Sequence, residues 1–449
     1  MQNRKILLFV VFNFVLFQQK SFSRNQQIKI LFKMQTNLQK ERFFEHLTKY
    51  CQLLSNKYQY KFLISGDPNL SETNNHRAIN RLQKQASFNF KSSQNKSIAE
   101  AYNQGIAQES FDILIIANDN LVPTQRNYDD RIVNMILKNF PDLDGILYFN
   151  NGTPKDELNK CLIIGKQYYE RFKYIYHPHY KTSICVKEFT NVAQLLKKVS
   201  ISNEMLFKST KNLLLNTINK PDESKKNCEE EEDKLLYNTR SEVNYNIDLK
   251  TSSIIKWSIL IPTLNNRKHL FNKLYNKLTT QIKKANLQNF IELLSEPDDG
   301  ELSVGSKRNS LLKQSKGEYI SFVDDDDDVS QDFIKTIYEK LKIYPDCISL
   351  QGIVTTNNKN PHLFIHSIKY DKFFTENNIY YRPPNHLNPI RRDIAIRFKF
   401  PSKYVSEDYD WAMQICNSHL LKKEEEVTKP YYFYIYSSQH SVQVNKRKN

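Results

Sequence analysis

Tyr319-Ile320-Ser321-Phe322-Val323, followed at once by Asp324-Asp325-Asp326-Asp327-Asp328, is the passage on which the reading turns. The first five residues have the apolar, β-forming character of a strand buried on both faces of a parallel sheet. Five successive carboxylates then stand where that strand must end. In open parallel sheets, ligands bind outside the carboxyl ends of the strands. Adjacent carboxylates repel, so the cluster is costly unless water or a cation neutralises it. Oxygen-only ligands suit Mg²⁺ or Mn²⁺, with coordination positions left for phosphate oxygens. The competing reading is an acidic cap on the next helix, whose N-terminus favours carboxylates. Five in a row exceed what a cap needs.

The flanking sequence extends the pattern. Residues 257–261 read as a strand, 268–283 as a helix, 290–294 as a strand and 304–315 as a helix containing Arg308-Asn309. After the acidic run come a helix over 331–343, the step Tyr344-Pro345-Asp346 and a strand over 347–353. The N-terminal half has the same succession: strands at 28–32, 60–64 and 112–116, helices at 41–59 and 97–108, and the polar cluster Asn118-Asp119-Asn120. It continues with a helix over 129–139, the step Phe140-Pro141-Asp142 and a strand over 145–149. Alternation of this kind implies α/β architecture with mostly parallel sheets. The shared acidic cluster and aromatic-Pro-Asp step imply two tandem domains. The expected boundaries are 26–215 for the first domain, 216–253 for a polar linker and 254–445 for the second.

Composition excludes several alternatives. The chain has 449 residues, enough for two or three domains, and nine glycines that leave no GxGxxG or Walker loop. Six scattered cysteines with no CxxC pair make neither a disulfide scaffold nor a zinc module. The formal charge of +16 comes from lysine spread along the chain, without a clustered basic face, so no nucleic-acid partner is expected. Arg4 and Lys5 precede the apolar stretch 6–17, which is signal-peptide grammar and short for a membrane span. Residues 1–25 therefore read as a leader, with a plain N-terminal extension as the alternative. The secretory pathway or exterior follows from the first reading and the cytoplasm from the second. No stable membrane span is expected.

The second half resembles a nucleotide-sugar glycosyltransferase of the GT-A fold, in the large family 2 type. The residues that carry the resemblance are Ser258-Ile259-Leu260-Ile261-Pro262-Thr263, Arg308-Asn309, Phe322-Val323-Asp324-Asp325-Asp326-Asp327 and Ser406-Glu407-Asp408. The run Arg382-Pro383-Pro384-Asn385-His386-Leu387-Asn388-Pro389 with Arg391-Arg392 is similar to a subgroup found in bacteria and large DNA viruses. The first half resembles the companion domain of such tandem proteins through Asn118-Asp119-Asn120, Phe140-Pro141-Asp142, 163–169 and His177-Pro178.

The resemblance implies transfer of a sugar from a nucleotide donor, a uridine diphosphate sugar first among them, to an acceptor hydroxyl with Mn²⁺ or Mg²⁺. It implies Asp326 as metal ligand and Asp324 towards the ribose or the metal, with a register that could slip by one in a run of five. It places Pro262, Thr263, Asp298, Arg308, Asp324 and Asp325 on the donor, although Pro297-Asp298-Asp299-Gly300 also reads as a turn. Asp408 matches the base of an inverting single displacement, with Glu407 as its neighbour, and His386 is a candidate acceptor contact. The acceptor itself is open: glycan, protein or lipid-linked. In the first half Asp119 stands between two amides, which weakens any metal site. Its base candidates are Glu188 and His177, and an inactive or altered domain is the expectation there. The rivals are a non-catalytic carbohydrate-binding protein on a degenerate transferase fold, and a Ca²⁺-binding or nucleic-acid-associated protein.

Overall fold

The computed structural model describes residues 27–36, 40–66, 76–92, 97–118, 121–149, 161–209, 223–357 and 359–436. The leader reading and Asp119 lie outside the described residues. The chain divides into two compact units, the first formed by Met1–Gln94, Gln104–Lys173 and Lys198–Leu215, the second by Asn95–Asn103, Tyr174–Lys197 and Asn216–Asn449.

The first unit is built on a seven-stranded sheet. Its order is Ser87–Ser92, Gln59–Gly66, Lys29–Gln35, Ile113–Asn118, Leu162–Gly165, Ile146–Phe149, Val199–Ser202. Only Leu162–Gly165 runs antiparallel to its neighbours. The apolar run Ile113 to Ile116 is buried, as a central strand covered on both faces must be. Phe32, Phe62, Tyr50 and Tyr128 pack its core, the first two stacked with ring centroids 4.4 Å apart.

In the second unit a six-stranded sheet runs Ile291–Asp298, Trp257–Leu264, Tyr319–Phe322, Ile390–Arg391, Cys347–Ile348, Glu424–Glu425. Here Ile390–Arg391 is the antiparallel strand, in the same place in the order as Leu162–Gly165. With the extra edge strand Ser87–Ser92 of the first sheet set aside, both sheets therefore run second, first, third, inserted antiparallel, fourth and last strand. The α/β, mostly parallel architecture expected for both halves is the one observed. Polar atoms inside the central strands are satisfied: the Trp257 indole N–H donates to Ser321 Oγ at 3.0 Å, and Ser258 Oγ donates to Glu292 at 2.5 Å.

Two features of the second unit differ from the sequence expectation. The strand expected over 347–353 is two strands. Cys347–Ile348 stays in the main sheet, and Leu350–Thr356 enters a second sheet with Tyr432–Tyr436, Lys359–His366, Ile379–Arg382, Phe374–Glu376 and Asp328–Val329. The switch occurs at Ser349, whose N–H donates to Glu425 O at 2.9 Å and whose Oγ accepts the Val427 N–H at 3.0 Å. Also, the linker segment, read as partly helical, forms the 19-residue helix Glu223–Ser241, which together with Ile184–Leu195 of the expected first domain belongs to the second unit. Among the described residues no helix is long and apolar enough to cross a membrane.

Candidate active site

A cavity of about 350 Å³ opens at the carboxyl ends of the Trp257–Leu264 and Tyr319–Phe322 strands, under one face of the second sheet. The acidic run ends the central strand at its mouth, and the five carboxylates have different partners. Asp327 points away: its carboxylate accepts the Tyr432 hydroxyl at 2.7 Å and the Ile435 N–H at 2.9 Å. Asp328 pairs with Lys277 at 2.6 Å. Asp324, Asp325 and Asp326 line the cavity.

Arg308 Nη2 donates to both oxygens of Asp324 at 3.1 and 3.2 Å. Burial alone would raise the Asp324 carboxyl, but the Arg308 charge and the nearby His386 outweigh it and hold it well below the carboxylate range. Asp325 accepts the Thr263 hydroxyl at 2.6 Å, and burial pushes its carboxyl up to about 6. Burial raises Asp326 as well, with the Asp324 charge adding to the effect and Arg267 opposing it. Arg267 Nη2 lies 2.6 Å from Asp325 and 2.5 Å from Asp326, an ion pair without hydrogen-bond alignment.

The wall opposite is the helix Val304–Gln314. Ser303 caps it, its Oγ accepting the Ser306 N–H at 3.2 Å. A Cβ at Gly305 would sit 1.9 Å from Pro401 O, so only glycine lets the helix meet that loop. One turn on, Lys307 and Arg308 are both buried and line the cavity. Lys307 Nζ donates to Thr263 O at 2.6 Å and contacts Asp298. Asp298 therefore does not line the cavity itself. Its carboxylate holds Lys307 and accepts the Leu302 N–H at 2.8 Å, which makes its contribution to a donor indirect.

A second helix, Glu407–Ser418, brings the candidate base. Trp411 anchors it, stacked on Phe400 with centroids 4.6 Å apart, its indole N–H donating to Phe398 O at 3.2 Å. Its first turn then presents Glu407 and Asp408 to the cavity. Glu407 is buried beside Arg308 Nε at 3.3 Å, and burial raises its carboxyl. Asp408 is the more exposed of the two, with 36% of its side chain accessible.

His386 lies between the two acidic groups. Its Nε2 is 3.8 Å from Asp324 and its Nδ1 is 3.8 Å from Asp408. The loop that carries it is fixed from below: the Phe322 N–H donates to His386 O, the Asn385 N–H to Asn388 Oδ1, and Asn388 Nδ2 to Ile348 O. Both imidazole nitrogens are buried with no hydrogen-bond partner among the described residues. Buried orphan nitrogens in a cavity wall mark a place where a ligand completes the bonding.

The donor set fits a divalent ion in one respect and limits it in another. Among the described residues, no group of three or more His, Cys, Asp or Glu side chains converges as a metal cage. Mg²⁺ and Mn²⁺, however, are commonly held by one or two carboxylates with phosphates and water completing the shell. Asp324 and Asp326 face the cavity with 24% of each side chain accessible, and their oxygens are of the right chemistry.

Residues 299–403 match the model of glycosyl transferase family 2. That segment contains Arg308, the acidic run and His386; it stops short of Asp408. Solved structures similar to the chain include a mannosyltransferase, PcManGT, from Pyrobaculum calidifontis with GDP-Man and Mn²⁺, at 7% identity and TM-score 0.34, covering 42% of this chain and 59% of that one. S. aureus TarS 1–349 with UDP is 19% identical, TM-score 0.29, covering 42% and 63%. Its complex with UDP-GlcNAc gives 16% identity, TM-score 0.29 and coverage of 42% and 60%. The chain thus spans less than two thirds of the length of each. No curated protein matches it.

The candidates in the first half have a different setting. Glu188 accepts Arg240 Nε and Nη2 at 3.0 Å and the Tyr180 hydroxyl at 2.6 Å. His177 Nε2 is 3.3 Å from Glu318, whose other oxygen takes Lys256 at 2.6 Å. Both candidates are thus buried in an ionic cluster of the second unit. The Glu188 carboxylate is occupied by structural partners, whereas the His177 imidazole approaches Glu318 without hydrogen-bond alignment and has no other hydrogen-bond partner among the described residues. Arg267, Lys307 and Arg382 line the cavity without having been singled out from the sequence. Arg267 left a local signal, a cation three residues beyond the strand end Leu264, and Arg382 opens the quoted run through Pro389 without a role having been assigned to it.

Proposed function

We propose that the second unit transfers a sugar from a nucleotide-sugar donor, a uridine diphosphate sugar first among the candidates, to an acceptor hydroxyl, with inversion at the anomeric carbon. The observation that carries the reading is the convergence of Asp324, Asp326, Arg308 and Asp408 on one cavity, in and beside a segment with the family 2 pattern. In this reading Pro262 and Thr263, which line the cavity, take the nucleoside, with Asp298 acting through Lys307. Asp324 and Asp326 would hold Mn²⁺ or Mg²⁺, which supplies positive charge against the departing diphosphate. Arg308 and Lys307 add fixed cationic charge on the same wall, preorganised by their carboxylate partners.

Asp408 takes the proton of the acceptor hydroxyl as its oxygen attacks the anomeric carbon, and the bond to the diphosphate oxygen breaks on the opposite side. General-base assistance of this kind contributes ~10²–10⁴-fold. His386, with two unsatisfied nitrogens between the donor and base sides, contacts the acceptor. Release of UDP from donor, followed with and without acceptor and chelator, tests the proposal. Manganese-dependent release is expected; release unaffected by chelator, or none with any donor of a panel, refutes it and leaves a carbohydrate-binding role.

A further inference from the structure

Four basic side chains line the cavity: Arg267, Lys307, Arg308 and Arg382. The first three are paired with carboxylates, to Asp325 and Asp326, to Asp298, and to Asp324 and Glu407. Arg382 has no carboxylate partner among the described residues and no side-chain hydrogen bond there. Aromatic faces hold it instead, with its guanidinium carbon 5.1 Å from the Phe373 centroid and 5.6 Å from that of Tyr380. Stacking of this kind fixes the plane of the fork and leaves its N–H edge free for a planar or tetrahedral anion.

The position of Arg382 identifies which ligand it meets. It ends the strand Ile379–Arg382 of the second sheet, a different element from the acidic loop and the Val304–Gln314 helix that the transferase reading assigns to the donor phosphates. Phe373, on which it stacks, packs against Tyr409 with centroids 4.8 Å apart. Tyr409 directly follows the base Asp408. Arg382 therefore flanks the side from which the acceptor hydroxyl approaches. A half-buried guanidinium is costly to leave without a counter-charge, and among the described residues no carboxylate lies within 4.0 Å of it.

Resting on the transferase reading above, we infer that the acceptor carries an anionic group, phosphate or carboxylate, and that Arg382 reads it. A neutral glycan or an uncharged peptide hydroxyl would leave the fork unsatisfied. Tyr434 also lines the cavity, and an aromatic ring there suits a pyranose beside the charge.

Calorimetric titration of the full chain saturated with UDP and Mn²⁺ tests this, with glucose, glucose 6-phosphate and glucuronate as probes. The occupied donor site keeps the probes off Arg308 and the acidic loop. At least one anionic probe is expected to bind about tenfold or more tighter than glucose, the factor expected of one charge-assisted fork. The phosphate and carboxylate arms show which anion is preferred. Arg382→Gln should bring charged and neutral probes within about twofold of each other, and Arg382→Lys should restore part of the difference, as a point charge lacks the fork. UDP binding, measured first in the same cell, should be the same in all variants. A parent that binds UDP but shows no preference for charge, or a preference that survives Arg382→Gln, overturns the role of Arg382 alone. A parent that binds no UDP overturns the transferase reading and this inference with it.

Discussion

Arg240→Met removes one of two cations from a buried cluster that is balanced as it stands. Arg240 and Lys256 face Glu188 and Glu318, and all four are nearly inaccessible to water. Arg240 makes contacts of 3.0 to 3.2 Å to Glu188, 2.5 Å to Asn246 and 3.4 Å to Glu318. Methionine fills much of the volume but leaves Glu188 with only the Tyr180 hydroxyl. An uncompensated buried carboxylate of this kind costs about 3–5 kcal/mol. Lys256 cannot substitute, because its ammonium is committed to Glu318 and burial already pushes it down to about 8. With a urea m-value of about 2–3 kcal/mol/M, the unfolding midpoint should fall by about 1–2.5 M. Both tryptophans, Trp257 and Trp411, are fully buried in the second unit, so their fluorescence follows that unit alone. Adding Glu188→Gln removes the stranded charge and should recover a large part of the loss. A midpoint shift under about 0.3 M, or a double variant no better than Arg240→Met, would refute the reasoning.

Asp408→Asn is expected to lower kcat by ~10²–10⁴ while donor affinity measured by calorimetry stays put; lost donor affinity would instead place Asp408 on the donor. His366 offers a test by pH. Burial first, and then the Arg382 charge, holds its imidazole down to about 3. Between that value and the ordinary 6.5, the unfolded chain binds a proton that the native one does not. Its contribution to stability is therefore intact above about pH 6.5 and lost as pH falls towards 3. Urea midpoints of parent and His366→Gln should converge from pH 7 to pH 4; parallel curves would show that His366 carries no such penalty.

Much of the fold was legible because continuous apolar runs leave little choice. Residues 319–323 and 112–116 can only be central strands, and the chain order of strands and helices then fixes mostly parallel sheets. The second sheet was not legible as a separate sheet: the strand read over 347–353 gives no sign that it changes sheets at Ser349, and Lys359–His366 is half-exposed and mixed in character, with no periodicity to separate it from loop. The acidic run shows the same limit within a site. Asp327 and Asp324 are identical in sequence, and Tyr432 and the Ile435 N–H, 105 and 108 positions beyond Asp327, turn one inward and leave the other in the cavity. His177 and Glu188 had the residue types of an acid–base pair. Arg240 and Glu318 claim them for structure, and those partners lie 52 and 141 positions away. Arg382 was visible as a letter but not as an unpaired charge, since absence of a partner is a property of three-dimensional packing.

The central claim is that Asp326 and Asp324 together secure a divalent ion between the strand end and a nucleoside diphosphate. Calorimetric titration of UDP into parent and Asp326→Ala protein, each with Mn²⁺ and with chelator, tests it most directly. The account predicts that Mn²⁺ tightens UDP binding to the parent by about tenfold or more and does nothing for Asp326→Ala. Equal manganese enhancement in both proteins, or parent binding that is indifferent to chelator, would contradict it.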